Sequence, residues 1–149
     1  MSVALRLARP DDLDRVLRLV TACHAETGPD LTNEALSDAV SPLLDGIPHG
    51  CLYLIGPARS PLGFVILSFG WSVEFGGMNA ILDQIYVRPA VRGRGIATEV
   101  LLELPKALAA GGVKALHLAA DRDTEGAQRL CQRTGFSPRD RNVLMTRPL

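Results

Sequence analysis

The sequence predicts a mixed α/β fold, one central sheet with helices on both faces, built in the order β-α-α-β-β-β-α-β-α-β. Three observations carry that expectation. Segments whose apolar residues recur every three to four positions are interspersed with short apolar or alternating runs, the periods of helix and strand. Gly and Pro punctuate the boundaries between them. The chain has 149 residues, 47% of them hydrophobic, which suits one compact domain with a sizeable core, so residues 1–149 are expected to form a single domain.

Each element has its own local reason. Val3 to Ala8 alternates apolar and polar residues and reads as a strand. Pro10-Asp11-Asp12 then supplies turn and cap residues for a helix over Leu13 to His24, with Leu13, Val16, Leu17 and Val20 as its stripe. After the loop Ala25-Glu26-Thr27-Gly28-Pro29-Asp30 comes a second amphipathic helix, from about Asn33 to Leu44, stopped by Gly46 and Pro48. Cys51 to Ile55 reads as a strand, Gly56 to Pro61 as a turn, and Leu62 to about Val73 as a longer strand. Gly76-Gly77 turns the chain into an apolar strand over 80–87, antiparallel to the one before. A helix from about Gly95 to Ala110 follows. Pro105 removes one of its hydrogen bonds and is expected to bend it near Leu101. Lys114 to Ala120 reads as a strand, Thr124 to Thr134 as a short helix, and Asn142 to Thr146 as a final strand.

Composition narrows the function classes. Sixteen Lys plus Arg balance sixteen Asp plus Glu, so no overall field selects a nucleic acid or an acidic membrane as partner. The balance hides an asymmetry. Residues 1–84 carry five basic and ten acidic side chains, net −5, and residues 85–149 carry eleven basic and six acidic, net +5. Cys23, Cys51 and Cys131 are odd in number and lack C-x-x-C spacing, which argues against a disulfide framework and a zinc site; reduced thiols in a cytoplasmic protein are expected, with no metal. The opening residues are too short of apolar length for a signal peptide, and no run approaches the length of a membrane span.

One stretch carries chemistry. The apolar strand Ala80-Ile81-Leu82-Asp83-Gln84-Ile85-Tyr86-Val87 runs into Arg88-Pro89-Ala90-Val91-Arg92-Gly93-Arg94-Gly95-Ile96-Ala97-Thr98, and a helix follows. A helix start offers unpaired N–H groups and partial positive charge to an anion, provided that no side chain blocks the backbone. Gly93 and Gly95 remove the block, Arg92 and Arg94 add charge, and Thr98 adds a hydroxyl, so the stretch reads as a pyrophosphate cradle. A tight turn with a helix cap is the plainer reading of the same letters. A P-loop would need Lys-Ser or Lys-Thr after Gly95, where Ile96-Ala97 stand, and a dinucleotide fingerprint would need a small residue at Thr98.

The run L-D-Q-I-Y-V-R-P-x-x-R-G-R-G-I-A resembles the cofactor motif of the GCN5-related N-acetyltransferases, Q/R-x-x-G-x-G/A after an apolar strand, here Arg92-Gly93-Arg94-Gly95-Ile96-Ala97. Further on, Ala127-Gln128-Arg129-Leu130-Cys131-Gln132-Arg133-Thr134-Gly135-Phe136 resembles that superfamily's later helix, A-x-x-L-Y-x-x-x-G-F. With the element order, the resemblance covers nearly the whole chain. It implies a GNAT-like fold and an acetyl-coenzyme A (acetyl-CoA) cosubstrate. Backbone N–H groups of Gly93, Arg94, Gly95, Ile96, Ala97 and Thr98 would bind the pyrophosphate. Ile85, Tyr86 and Val87 would lie along the pantetheine arm, and the thioester would enter a gap between this strand and Leu116 to Ala120.

The activity implied is N-acetylation by direct attack of an amine on the thioester. Near pH 7 an alkyl amine is mostly protonated, so a base is useful. Asp83 stands where the spermidine/spermine N-acetyltransferase branch carries a carboxylate; it also reads as a capping or ion-paired residue. Glu74 is the second candidate base and equally an exposed turn residue. The family's leaving-group Tyr is replaced by Cys131, which can donate a proton but also reads as an ordinary buried small residue. Thr124 stands in place of the family's Asn, among the cofactor-binding positions. Glu26 and Asp30, in the loop that lines the family's acceptor site, suit a cationic small-molecule amine, and Trp71 and Phe75 can wall its slot or pack in the core. His117 and His24 read first as structural residues. A non-catalytic acyl-CoA-binding module and a protein N-acetyltransferase stay open as alternatives, as does the oligomeric state, a homodimer being one arrangement.

Overall fold

A computed structural model of the protein describes residues 3–149, with every side chain among them except that of Glu125. The elements are β1 (Leu5–Leu7), α1 (Leu13–Thr27), α2 (Asn33–Asp45), β2 (Gly50–Ile55), β3 (Gly63–Ser72), β4 (Gly77–Val87), α3 (Ile96–Ala110), β5 (Ala115–Leu118) and α4 (Glu125–Arg133). They group into two compact units, residues 3–119 and residues 120–149.

In the first unit the five strands form one sheet in chain order. Pairing is antiparallel from β1 to β4, where short turns suffice, and parallel between β4 and β5, which the α3 crossover makes possible. Strand pleating sends alternate residues to opposite faces. Leu52, Leu54 and Phe64 join Val16 and Val20 of α1 and Leu36 and Val40 of α2 in one buried cluster. Val65 and Leu67 are as deeply buried but point to the other face, where α3 supplies Val100, Leu101, Leu104 and Leu108. Helices therefore cover both faces, as the sequence predicts.

Helix ends show why the boundaries fall where they do. Asp12 heads α1 while only 5% exposed. Its carboxylate accepts two bonds from the Arg6 guanidinium (2.9 and 3.0 Å), one from the Arg9 N–H (2.9 Å) and a longer one from Arg15 (3.4 Å). The Arg6 bonds, opposed by burial, hold the Asp12 carboxyl below its usual range. At the start of α2 the Thr32 hydroxyl accepts the Ala35 N–H, and Gly46 ends the helix in the left-handed region. The α3 helix runs unbroken through Pro105. In the second unit α4 closes with the Gly135 N–H on the Gln132 carbonyl and the Phe136 N–H on the Cys131 carbonyl, with Gly135 at φ 102°. That is a Schellman motif, and it explains the Gly-Phe pair.

Two expectations are corrected. The α1 helix continues to Thr27, so Glu26 sits in its last turn and not in the following loop. Among the described residues no strand follows α4, so Asn142–Thr146 is not a sheet strand. A strand is pinned by a ladder and one buried face. The apolar run here is three consecutive residues, Val143-Leu144-Met145, which specifies no face, and all three are largely exposed.

Candidate active site

The site is built on β4. Its ladder with β3 pairs Leu82 with Leu67 and then Gln84 with Ile66, leaving Asp83 as an extra residue in a β-bulge. Because of that residue the pleat changes phase. Ala80 and Leu82 share the face of Leu67, whereas Gln84 and Tyr86 share the face of Ile66 and Phe64. The parallel ladder with β5 ends at the same point, its last pair being Leu82 with Leu118. From Asp83 to Val87, β4 keeps β3 on one edge, and among the described residues no strand lies on the other. Strand edges in that state carry backbone donors and acceptors ready for an extended ligand. Ile85 and Val87 are half-buried on this stretch, Tyr86 is buried, and Asp83 is exposed.

Beyond Val87 a 3-10 turn at Pro89–Val91 leads to the glycines. Gly93 and Gly95 have φ of 79° and 78°, a region that disfavours L side chains, and apart from the adjacent residues no described atom lies within 4 Å of where a Cβ would stand on either. The first bond of α3 runs from the Glu99 N–H to the Gly95 carbonyl (3.0 Å), so the N–H groups of Ile96, Ala97 and Thr98 have no intrahelical partner. With Gly95 at the N-cap no capping side chain occupies them. Unencumbered backbone N–H groups at a helix start, with the exposed Arg94 beside them, suit a pyrophosphate group.

Arg92 is engaged. Its Nε donates to the Val87 carbonyl (2.8 Å), and Nη1 and Nη2 donate to the two Glu26 oxygens (3.0 and 2.7 Å). Its guanidinium lies 5.4 Å from the centre of the Tyr86 ring. The Arg92 bonds lower the Glu26 carboxyl from its usual value, while burial and then the Glu26 charge raise the Tyr86 phenol. Neighbouring Cys23 is raised by burial, then by Glu26. Thus two residues expected on different ligands, Glu26 on the acceptor and Arg92 on the cofactor, bind each other.

The remaining sequence candidates are spread out. Asp30 is exposed between α1 and α2. Trp71 and Glu74 lie at the β3–β4 hairpin, Trp71 being 76% exposed and paired with Met78. Met78 is five residues before Asp83, about 17 Å along a strand, so the structure does not bring this pair to the bulge. His117, on β5, pairs with Ile81 of β4 and meets the Phe75 ring tilted at 60°, with 5.5 Å between ring centres, a packed position. Thr124 and Cys131 belong to the second unit. Thr124 is the N-cap of α4, its carbonyl accepting the Ala127 N–H (3.1 Å), and burial raises the half-buried Cys131 thiol. Gln84, not singled out from sequence, follows the bulge with its buried Oε1 unpartnered among the described residues. A pocket of about 410 Å³ lies at the opposite end of the sheet, among Leu43, Ile47, Cys51, Phe69 and Met78. The described residues hold no cluster of three or more metal-ligating groups, and no helix among them is long and apolar enough to cross a membrane.

Comparison with known proteins gives this geometry a family. Among solved structures, a candidate acetyltransferase from Arthrobacter sp. FB24 is 28% identical, with a TM-score of 0.82 over 98% of this chain and 96% of that one. An integron cassette protein from the mobile metagenome of Cole Harbour Salt Marsh is 27% identical, with a TM-score of 0.82 over 96% of this chain and 89% of its own. At 16% identity, the aminoglycoside N-acetyltransferase AAC(6')-Iy in complex with CoA shares the fold, with a TM-score of 0.73 over 99% of this chain and 95% of its own. No curated protein sequence matches significantly. The acetyltransferase (GNAT) family model matches residues 13–136, a span that takes in the bulged strand, the glycine cradle and the Gly-Phe end of α4. The chain belongs to the acetyltransferase (GNAT) family.

Proposed function

We propose that the protein is an acetyl-CoA-dependent N-acetyltransferase that moves the acetyl group to the amine of a small, cationic acceptor by direct attack on the thioester. The observation that carries this reading is a coincidence on β4: its ladder to β5 ends at Leu82, the bulge inserts Asp83, and the strand then leads into the glycine cradle. The family match spans both compact units, which supports reading residues 1–149 as one catalytic domain. Three free thiols suit a reducing cytoplasm.

The residues divide the work. Backbone N–H groups from Gly93 to Thr98 hold the pyrophosphate and Arg94 adds charge to it. The family resemblance gives Thr124 a part in binding the cofactor. The free edge of Ile85, Tyr86 and Val87 pairs with the pantetheine amides, which aims the thioester at the bulge. Asp83, exposed there, takes the proton from the acceptor amine directly or through water. The amine nitrogen bonds to the carbonyl carbon, the carbon–sulfur bond breaks, and the thiolate leaves with its electron pair. A CoA thiol has a pKa near that of cysteine, about 8.5, so the thiolate needs little help at neutral pH. Cys131, kept protonated by its raised value, supplies a proton where one is needed. Asp30 and Asp83 provide negative charge for a cationic acceptor, while Trp71 and Glu74, at the hairpin, lie beyond the reach of a small one.

The test is thiol release from acetyl-CoA with a panel of mono-, di- and polyamines, anionic amines and peptides with free N-termini. Release with diamines is expected, and Asp83→Asn should lower kcat/KM by about 100-fold while the affinity for CoA changes less than twofold. Cofactor binding with no turnover on any amine would make the protein an acyl-CoA-binding module, and turnover on peptides alone would make it a protein N-acetyltransferase.

A further inference from the structure

We infer that Glu26 is a built-in counter-charge that withholds Arg92 from the anion cradle and so sets how tightly the protein grips coenzyme A. The inference rests on the cradle being the pyrophosphate site. Arg92 opens the glycine turn, yet three of its five N–H groups are taken, one by the Val87 carbonyl and two by Glu26. The fork that could clasp a phosphate bidentately is closed on a carboxylate. Glu26 and Arg92 together carry no net charge, which leaves the exposed Arg94, between the two glycines, to supply charge there.

The pair is a poor device for stability. Its side chains are 45% and 39% exposed, and ion pairs exposed to that degree contribute little to folding. Its strongest physical effect falls on a polyanion arriving within a Debye length, about 10 Å at 0.1 M salt. Glu26 reaches the turn from the last turn of α1, 66 residues earlier in the chain, where it both repels phosphate and occupies the cation that would bind it. Acetyl-CoA and the CoA product carry the same phosphates, so one counter-charge weakens both. A weaker grip speeds release of a product that would otherwise stay.

The experiment titrates CoA, and separately inorganic pyrophosphate, into the wild type, Glu26→Gln, Arg92→Ala, Gly95→Asp and the double variant Glu26→Gln/Arg92→Ala, at low and high salt. Thermal melts without ligand confirm that each variant is folded, with Glu26→Ala as a second test of the same carboxylate. Glu26→Gln is expected to bind CoA about fivefold tighter at low salt, with a matching fall in the CoA dissociation rate. The gain should shrink in high salt and be smaller in the Arg92→Ala background. Unchanged affinity in Glu26→Gln overturns the inference. So does weaker binding, which would make the pair a tether that only holds α1 against the turn. If instead Gly95→Asp, which puts a carboxylate in the cradle, binds CoA and pyrophosphate like the wild type, the cradle reading itself fails, whatever Glu26→Gln does.

Discussion

Gly95 holds φ at 78° with open space where a side chain would begin, so its replacement is a question of strain and charge, not of collision. The left-handed region costs an L residue about 1–2 kcal/mol, and Asn and Asp tolerate it better than most. Gly95→Asp and Gly95→Asn therefore strain the turn alike and differ in charge. Gly95→Asp should bind CoA at least about tenfold more weakly than Gly95→Asn, with similar melting temperatures. Calorimetric titration checks the affinity, and equal affinities would remove the phosphate from this turn. Single residues of this kind are legible in a sequence because glycine between arginines before a helix has few physical uses. The Glu26–Arg92 pair was not legible. It joins positions 66 residues apart, and nothing local to either signals the other.

At the scale of elements, Asp12 decides how α1 begins. Its carboxylate ties the 3-10 turn Pro10–Asp12 to β1 through Arg6 and to the chain ahead through the Arg9 N–H. Replacing it by Asn keeps the shape and removes charge-assisted bonds, a loss of about 2 kcal/mol, or about 6 °C in Tm for a chain of this length. The sign of the pH dependence follows from the lowered carboxyl. Its stabilisation is full above the unfolded value of about 3.9 and is lost as pH falls through the lower folded value. The Tm gap between wild type and Asp12→Asn should be constant near neutrality and close below about pH 4, as melts across pH would record. The end of α2 was legible because its cap is local, Gly46 acting on the turn just before it, whereas α1 runs three residues past His24 to Thr27 with no such signal. The bulge and the missing last strand were not legible either. A ladder's register depends on its partner, so Ile81-Leu82-Asp83-Gln84 reads as regular strand, and Asn142–Thr146 reads as a strand that finds no pair.

Across the whole molecule the charge is divided, net −5 over residues 1–84 and net +5 over residues 85–149. The structure qualifies what that division can do for an acceptor. Glu26 is neutralised by Arg92 and Glu74 stands at the distant hairpin, which leaves Asp83 at the bulge and Asp30, exposed between α1 and α2. Two carboxylates still favour a dication over an anion, more weakly than four would. A dicationic amine should show about tenfold higher kcat/KM than an anionic one of similar size at low salt, and the ratio should fall as salt is added. Steady-state rates over a salt series measure it, and equal rates at low salt would remove the electrostatic account of acceptor choice.

The bulge on β4 amounts to a one-residue insertion in an otherwise regular ladder. Deleting Asp83 would let Gln84 follow Leu82 directly, opposite Ile66, with Leu82 still opposite Leu67 and Tyr86 still opposite Phe64. No side chain would change face, so the shortened chain should fold with its core intact and keep the glycine turn. What it would lose is the kink that re-aims β4 where β5 leaves it. The deletion variant should therefore bind pyrophosphate like the wild type yet transfer no acetyl group, separating by a single codon the part of this chain that makes a fold from the part that makes a reaction.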